Sequence, residues 1–396
     1  MSKTLVQFGA GNIGRSFIGQ LFARAGYEVV FVDVDERIIT ELNRRGEYIV
    51  VVKADGREDE YLRIQGVRGI LAGDRQAVVD AIAGADYVAT AVGARALPKV
   101  APALAAAAIA RAGSSYDVII AENVRGAAGI LQAAIEESLA RLGASDGVAL
   151  PGLVETSIGK MVPIMSDRDR AADPLLVFAE PYNTLIVDAN AFTGPLPQVA
   201  DLKPVESIDA YVDRKLFIHN LGHAACAYFG YRRDPSMTYV WQAMADDEVR
   251  SATREAMQEA ACGLLRRYPA VFDKPVLDDH IDDLLSRFAN SALGDTIYRV
   301  GRDLKRKLSR DDRLVGALRL CVGAGCPTDA IIDAVAAGFS FRATDEGDSL
   351  YPGDAELARE LGAEPVATVV SRVCGLESGD PIDAEILTAI LSRLTR

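Results

Sequence analysis

The chain has no apolar run approaching the ~18 residues that a membrane-spanning helix needs, and its Ala-rich stretch from Ala101 to Ala112 reads as a short buried helix. Nor does it open on a leader with separate charged, apolar and cleavable regions, since Met1-Ser2-Lys3 passes straight into a strand-like run. Both absences point to a cytoplasmic protein with no membrane partner. Histidine is scarce, with 3 residues in 396. His219 and His223 sit at i, i+4, but only His280 remains to help them and no HExxH is present, so no metal site is expected. The five cysteines, Cys226, Cys262, Cys321, Cys326 and Cys374, include no CxxC, and the nearest two, in CVGAGC, lack zinc-knuckle spacing. All five read as buried free thiols. Basic charge is also in short supply: 43 Lys and Arg against 56 Asp and Glu leave a net charge of −13. That argues against nucleic acid or an anionic membrane as partner, because phosphate backbones need a basic surface. Any phosphorylated substrate must then be met by a local basic pocket working against the overall field.

What is present suits a globular protein of two domains, given 396 residues, 49% of them hydrophobic and 25% charged, and roughly 150 residues per domain. Thr4 to Phe8 is a short apolar strand, followed by a Gly-rich turn and an amphipathic helix from about Arg15 to Ala25. A second strand, Glu28 to Val32, ends at Asp33. Asp86 to Val92 and Asp117 to Ala121 are further buried parallel strands, with a helix from about Leu97 to Ala112 between them. The fold class is α/β: strand and helix alternate as in an N-terminal Rossmann-type doubly wound sheet. Beyond about residue 200, Ala, Leu, Arg and Asp in helical period replace the β-branched runs, and Phe192 to Pro204 carries Gly194, Pro195, Pro197 and Pro204 as breakers. We therefore expect a dinucleotide-binding domain over 1–200 and a mostly α-helical substrate and catalytic domain over 201–396. There is no internal repeat or low-complexity tract.

Gly9-Ala10-Gly11-Asn12-Ile13-Gly14 gives GxGxxG after the first strand and at the opening of a helix. Alone the motif is weak, but its context is the one a dinucleotide site requires. Gly9 allows the tight turn, Gly11 lets backbone N–H groups reach a pyrophosphate, and Gly14 lets helix and strand pack closely. Asp33, 24 residues after Gly9, could accept bonds from the adenosine ribose hydroxyls and would repel a 2′-phosphate. NAD is thus favoured over NADP, with Arg37 keeping a minor NADP role open. Thr90 to Gly93 ends the strand across the switch point, so that Thr90 and Val92 should border the nicotinamide.

In the second half, Asp213-Arg214-Lys215-Leu216-Phe217-Ile218-His219-Asn220-Leu221-Gly222-His223 puts an amine, an amide and an imidazole on one helical stretch, where Lys215, Asn220 and His223 can converge. This KxxxxNxxH pattern, with Gly222 before the histidine, resembles the signature of the polyol-specific long-chain dehydrogenases, the mannitol dehydrogenase family. The resemblance runs on through FGAGNIGR from Phe8 to Arg15, TAVG from Thr90 to Gly93, AEN from Ala121 to Asn123, Val162-Pro163, EPYN from Glu180 to Asn183, and RFANSALGDT from Arg287 to Thr296. It implies a metal-independent hydride transfer between NAD and a polyol or ketose, mannitol 1-phosphate and fructose 6-phosphate being the leading pair. Lys215 would take the hydroxyl proton, and so must have its pKa lowered from ~10.4 to work near neutrality. Asn220 and Asn123 would donate to the developing alkoxide, and His223 would position substrate and keep Lys215 unprotonated.

For the substrate, Arg299, Arg302, Lys305, Arg306 and Lys307 form a basic cluster that could grip a sugar phosphate. By resemblance, Arg299 and Lys307 bind substrate and Glu180 accepts from its hydroxyls. The sequence departs from the family where VDRIVP is usual, for it reads Ile158-Gly159-Lys160-Met161-Val162-Pro163, losing an ion pair or a substrate contact. The alternatives are the same chemistry on a free polyol or a hexuronate, or a cofactor-binding sensor without turnover. The family suggests a monomer whose partner is a small molecule.

Overall fold

The computed structural model describes residues 3–144 and 147–394, and the chain divides into two compact units, Met1–Ile208 and Asp209–Arg396. In the first unit, β1 (Thr4–Phe8), β2 (Glu28–Asp33), β5 (Val67–Leu71), β6 (Tyr87–Thr90), β7 (Asp117–Ile120) and β8 (Gly152–Ile158) pair in parallel in the order β5-β2-β1-β6-β7-β8. That is the doubly wound dinucleotide-binding topology, with its switch point between β1 and β6. The sheet continues through β10 (Leu185–Asp188), antiparallel to β8, and β11 (Leu202–Val205), parallel to β10.

These strands are apolar on both faces because helices cover both. Leu5 and Val6 are both fully buried, yet Leu5 packs with Phe17, Phe22 and Phe31 while Val6 packs with Ile82, Leu104 and Ile135. Burying each such side chain contributes ~1.5–3 kcal/mol before conformational entropy is charged against it.

A three-stranded sheet of β3 (Glu47–Val52), β4 (Glu60–Gln65) and β9 (Val177–Ala179) stands apart from the main one. The hydroxyl of Tyr48, on β3, donates to the carbonyl of Arg15 at 2.7 Å, which braces the helix that follows the Gly-rich turn. Asp117, at the start of β7, accepts from the backbone N–H of Thr193 and of Gly194 and from the Thr193 hydroxyl. It thereby fixes the Gly194-Pro195 turn.

The second unit is helical, as expected, and its only β pairing among the described residues is an isolated bridge between Tyr239 and Thr296. Its longest helix, Asp247–Arg267, starts on Asp246, whose carboxylate accepts from the N–H of Glu248 and Val249. Asp247 and Glu248 occupy its first turn and Arg266 and Arg267 its last, in the sense the helix dipole favours. No helix among the described residues is long and apolar enough to cross a membrane.

The expectation of five free thiols does not hold. Cys262 and Cys326, separated by 64 positions and with Cα atoms 6.1 Å apart, form a disulfide, leaving Cys226, Cys321 and Cys374 as buried free thiols. Sequence spacing misses the pair because Cys326 lies two residues beyond the helix Val315–Ala324, which packs alongside Asp247–Arg267, where Cys262 sits.

Candidate functional site

The first unit carries a cleft at the carboxyl ends of β1, β2 and β6. Gly9 has φ +90°, and a Cβ there would lie 2.3 Å from the Ala91 carbonyl oxygen; one on Gly14 would lie 1.9 Å from the Gly9 carbonyl oxygen. Both glycines are therefore demanded by close approach of backbone to backbone. Gly11 differs, for a Cβ there would meet nothing within 4 Å. Gly11 and Asn12 are exposed and Ile13 is half-buried, where the helix begins. Its first turn thus offers N–H groups to an anion.

Asp33 ends β2 with a carboxylate that accepts from the N–H of Ala10 at 2.6 Å and of Asp35 at 3.0 Å. It is pinned at the rim of an 830 Å³ cavity lined by Gly9, Gly11, Asp33, Ala72, Val78, Ala91, Val92, Ala96 and Val100. An apolar cleft with one carboxylate at its lip and open space over a glycine fits an adenine nucleotide. Arg37 is exposed, and its backbone N–H donates to Asp35.

Thr90 is fully buried, so its side chain supports the strand and does not face the cleft, whereas Val92 lines it. The turn between them depends on Glu122, which sequence reasoning passed over. Its buried carboxylate accepts from the N–H of Val92 and of Gly93, each at 2.8 Å. Asn123, the next residue, is exposed.

In the second unit, Lys215 to Asn220 is a π segment continued by the helix Leu221–Arg233. The distinction matters for alignment. In an α-helix, residues five apart are turned by about 140° from one another at ~100° per residue; i→i+5 bonding brings them closer to one line, which is why such segments recur at functional sites. Lys215 and Asn220 are five apart, and His223 lies three beyond Asn220 within regular helix. The π segment therefore turns Asn220 closer to the line of Lys215 than regular helical spacing would.

Burial, then the positive charge of Arg313 with a smaller contribution from Arg306, lowers the Lys215 ammonium to about 8, Asp312 opposing the shift. An amine in that range exchanges protons near neutral pH. His223 stacks on Phe288 at 4.8 Å, the rings tilted by 8°, and its Nε2 stands 3.3 Å from the buried Asp295 carboxylate. Despite its burial, Asp295 is held below the usual carboxylate range by His223 and Arg299. His219 is buried, and its burial keeps it neutral, far below the usual imidazole value. Its ring lies 6.4 Å from that of His223. Among the described residues no group of three or more His, Cys, Asp and Glu is arranged to hold a metal ion.

The three residues expected to bind substrate are placed differently from one another. Arg299 is half-exposed and ion-paired with Asp295. Lys307 is buried, its ammonium donating to the carbonyls of Val300 and Arg302, and burial followed by the charges of Arg313 and Arg306 lowers it to about 7. Glu180, in the first unit, is buried and accepts from the N–H of Met161. Lys160 explains the departure from VDRIVP. Its ammonium is inside, donating to the carbonyls of Glu180 and Tyr182 and to the amide oxygen of Asn183 at 2.7–3.0 Å. It holds the Glu180-to-Asn183 turn from within, while Gly159 lies against the Tyr182 ring.

Residues 3–201 match the family described as the mannitol dehydrogenase Rossmann domain, and residues 207–389 the mannitol dehydrogenase C-terminal domain. A mannitol-1-phosphate 5-dehydrogenase of Brevibacillus brevis is 37% identical over 387 residues, 96% of this chain and 95% of the relative. One of Shouchella clausii is 36% identical over 383 residues, 95% of this chain and 97% of the relative. The solved Pseudomonas fluorescens mannitol 2-dehydrogenase, in ternary complex with NAD and D-mannitol, superposes with a TM-score of 0.75 at 17% identity, covering 100% of this chain and 91% of that one, which speaks to the fold alone. With both of its units matched, the chain belongs to the mannitol dehydrogenase family.

Proposed function

We propose that the chain is an NAD-dependent, metal-independent dehydrogenase that interconverts mannitol 1-phosphate and fructose 6-phosphate, working as a cytoplasmic monomer. The observation that carries this reading is Lys215: a lysine brought by burial and neighbouring arginines to about 8, at the start of the π segment that ends on Asn220. The substrate pair is supported by relatives at 36% and 37% identity that are mannitol-1-phosphate 5-dehydrogenases. NAD rather than NADP is supported by the Asp33 carboxylate at the mouth of the cleft, which would accept from ribose hydroxyls and repel a 2′-phosphate.

Gly9, Gly11, Asn12, Ile13 and Gly14 would hold the pyrophosphate through backbone N–H groups, with Asp33 on the ribose and Val92 beside the nicotinamide. When bound, the dinucleotide supplies hydride acceptance and donation. In alcohol oxidation Lys215 takes the hydroxyl proton onto Nζ; in ketone reduction it returns it to the oxygen. Asn220 and Asn123 each donate a side-chain amide N–H to the oxygen as negative charge builds there, worth ~3 kcal/mol of barrier per donor. His223, fixed between Phe288 and Asp295, donates to or accepts from a neighbouring substrate hydroxyl and so sets its orientation. Glu180, Arg299 and Lys307 shape the surroundings through the contacts described above.

The test is a panel of initial rates with NADH and fructose 6-phosphate, fructose or fructuronate, in the presence of EDTA. The reading predicts a strong preference for fructose 6-phosphate and no loss to the chelator. Equal rates on the free sugar, a preference for the uronate, or no turnover at all would each overturn it.

A further inference from the structure

Selection for a phosphorylated substrate needs cations with donors to spare near the lysine; Lys307 spends its ammonium on two carbonyls, and Arg299 gives Nη1 to Asp295. A second pair, whose charges bear on Lys215, also keeps donors free. Arg313 is nearly enclosed, its side chain 12% exposed, and its Nε and backbone N–H both donate to the Asp312 carboxylate at 2.8 and 2.6 Å. Its two terminal nitrogens have no partner among the described residues. Arg306 reaches the other Asp312 oxygen through Nη1 at 3.2 Å and Asp303 through Nε, leaving Nη2 unengaged. One carboxylate thus holds two guanidinium groups side by side, Arg313 with both terminal nitrogens unused and Arg306 with Nη2.

The pair belongs to the neighbourhood of Lys215. A methyl on Gly316 would stand 2.9 Å from the ring of Phe217, inside the π segment, and 3.2 Å from the backbone of Asp311. The turn carrying Asp312 and Arg313 is therefore packed on the segment that carries the lysine, and the charges of both arginines bear on its ammonium.

We infer that Arg306 and Arg313, bridged by Asp312, receive the phosphate of the sugar or polyol phosphate, and that they set the preference for phosphorylated over free substrate. This rests on the function proposed above. The Arg313 fork, with Nη2 of Arg306 beside it, suits a phosphate geometrically where a lysine offers only a point charge. Arg306, half-exposed, meets the incoming anion first; Arg313, already oriented by Asp312, loses little side-chain freedom on binding.

The experiment compares kcat/KM for fructose 6-phosphate with that for fructose in the wild-type enzyme, Arg306→Gln and Arg313→Lys, alongside inhibition by inorganic phosphate. The expected result is at least a tenfold fall in the phosphate-to-free ratio in each variant, carried mainly by KM, with weaker phosphate inhibition. A ratio unmoved in both folded variants, or one moved only by Arg299→Gln, overturns the inference while leaving the proposed function standing. A wild-type enzyme that shows no preference overturns both. A second measurement needs no variant: a bound dianion beside Lys215 favours its protonated form. The pH inflection of kcat for mannitol 1-phosphate oxidation should accordingly lie higher than that for mannitol, and coincident inflections contradict the placement.

Discussion

At the scale of single residues, the glycines of the nucleotide turn separate packing from binding. Gly14→Ala forces a methyl to 1.9 Å from the Gly9 carbonyl oxygen, an overlap that only backbone movement relieves, at a cost of ~1–3 kcal/mol or more. Gly11→Ala meets nothing within 4 Å and should leave the fold intact while its methyl intrudes where the proposed site receives the pyrophosphate. Thermal melts with NADH fluorescence titrations should show Gly14→Ala losing several degrees, and Gly11→Ala keeping its Tm but binding NADH at least tenfold more weakly. An unchanged affinity in folded Gly11→Ala would mean the dinucleotide lies elsewhere. The packing demands on Gly9 and Gly14 are legible in the sequence because GxGxxG states a geometric need. Lys160 is not: a lysine reads as a surface residue until three inward acceptors are seen to surround its ammonium.

At the scale of elements, four of the six parallel strands, β1, β2, β6 and β7, are legible as short apolar runs, and the helical second half by its period, whereas β5 and β8 are not among the strands the sequence reading names. The small sheet of β3, β4 and β9 is not legible either, since β4 is largely exposed and β9 is three residues long, too short for a period to register. Nor is the π segment, because nothing in KxxxxNxxH distinguishes five-residue from four-residue spacing until the backbone bonds are known. The turn after β6 is similar: Glu122 looks like a strand-end acid, yet its carboxylate takes two otherwise unpaired backbone N–H groups. Glu122→Ala strands both donors and should destabilise the protein by about 1–3 kcal/mol, with Glu122→Gln, which keeps one acceptor, costing less. Urea unfolding of the two variants checks this order; equal midpoints for wild type and Glu122→Ala would show that the turn does not depend on that carboxylate.

At the scale of the whole molecule, the second unit is cross-linked between positions 64 apart. A loop of that length restricts the unfolded chain enough to contribute roughly 2–4 kcal/mol. Thiol titration in denaturant should find three reactive groups in protein kept from reductant and five after reduction, given five cysteines of which three are free. Cys326→Ser should lower the unfolding midpoint of unreduced protein and be silent once wild type is reduced; five thiols at the outset would show the bridge does not form. In the proposed function, turnover rests on the lysine. At saturating NAD, kcat/KM for mannitol 1-phosphate oxidation should rise with pH and level off through an inflection near 8, because only the unprotonated amine accepts the hydroxyl proton and the Lys215 ammonium is lowered to about 8. Lys215→Ala should lower the plateau by ~10²–10⁴-fold and abolish that inflection. A variant that keeps both the rate and the inflection would contradict the account at its centre.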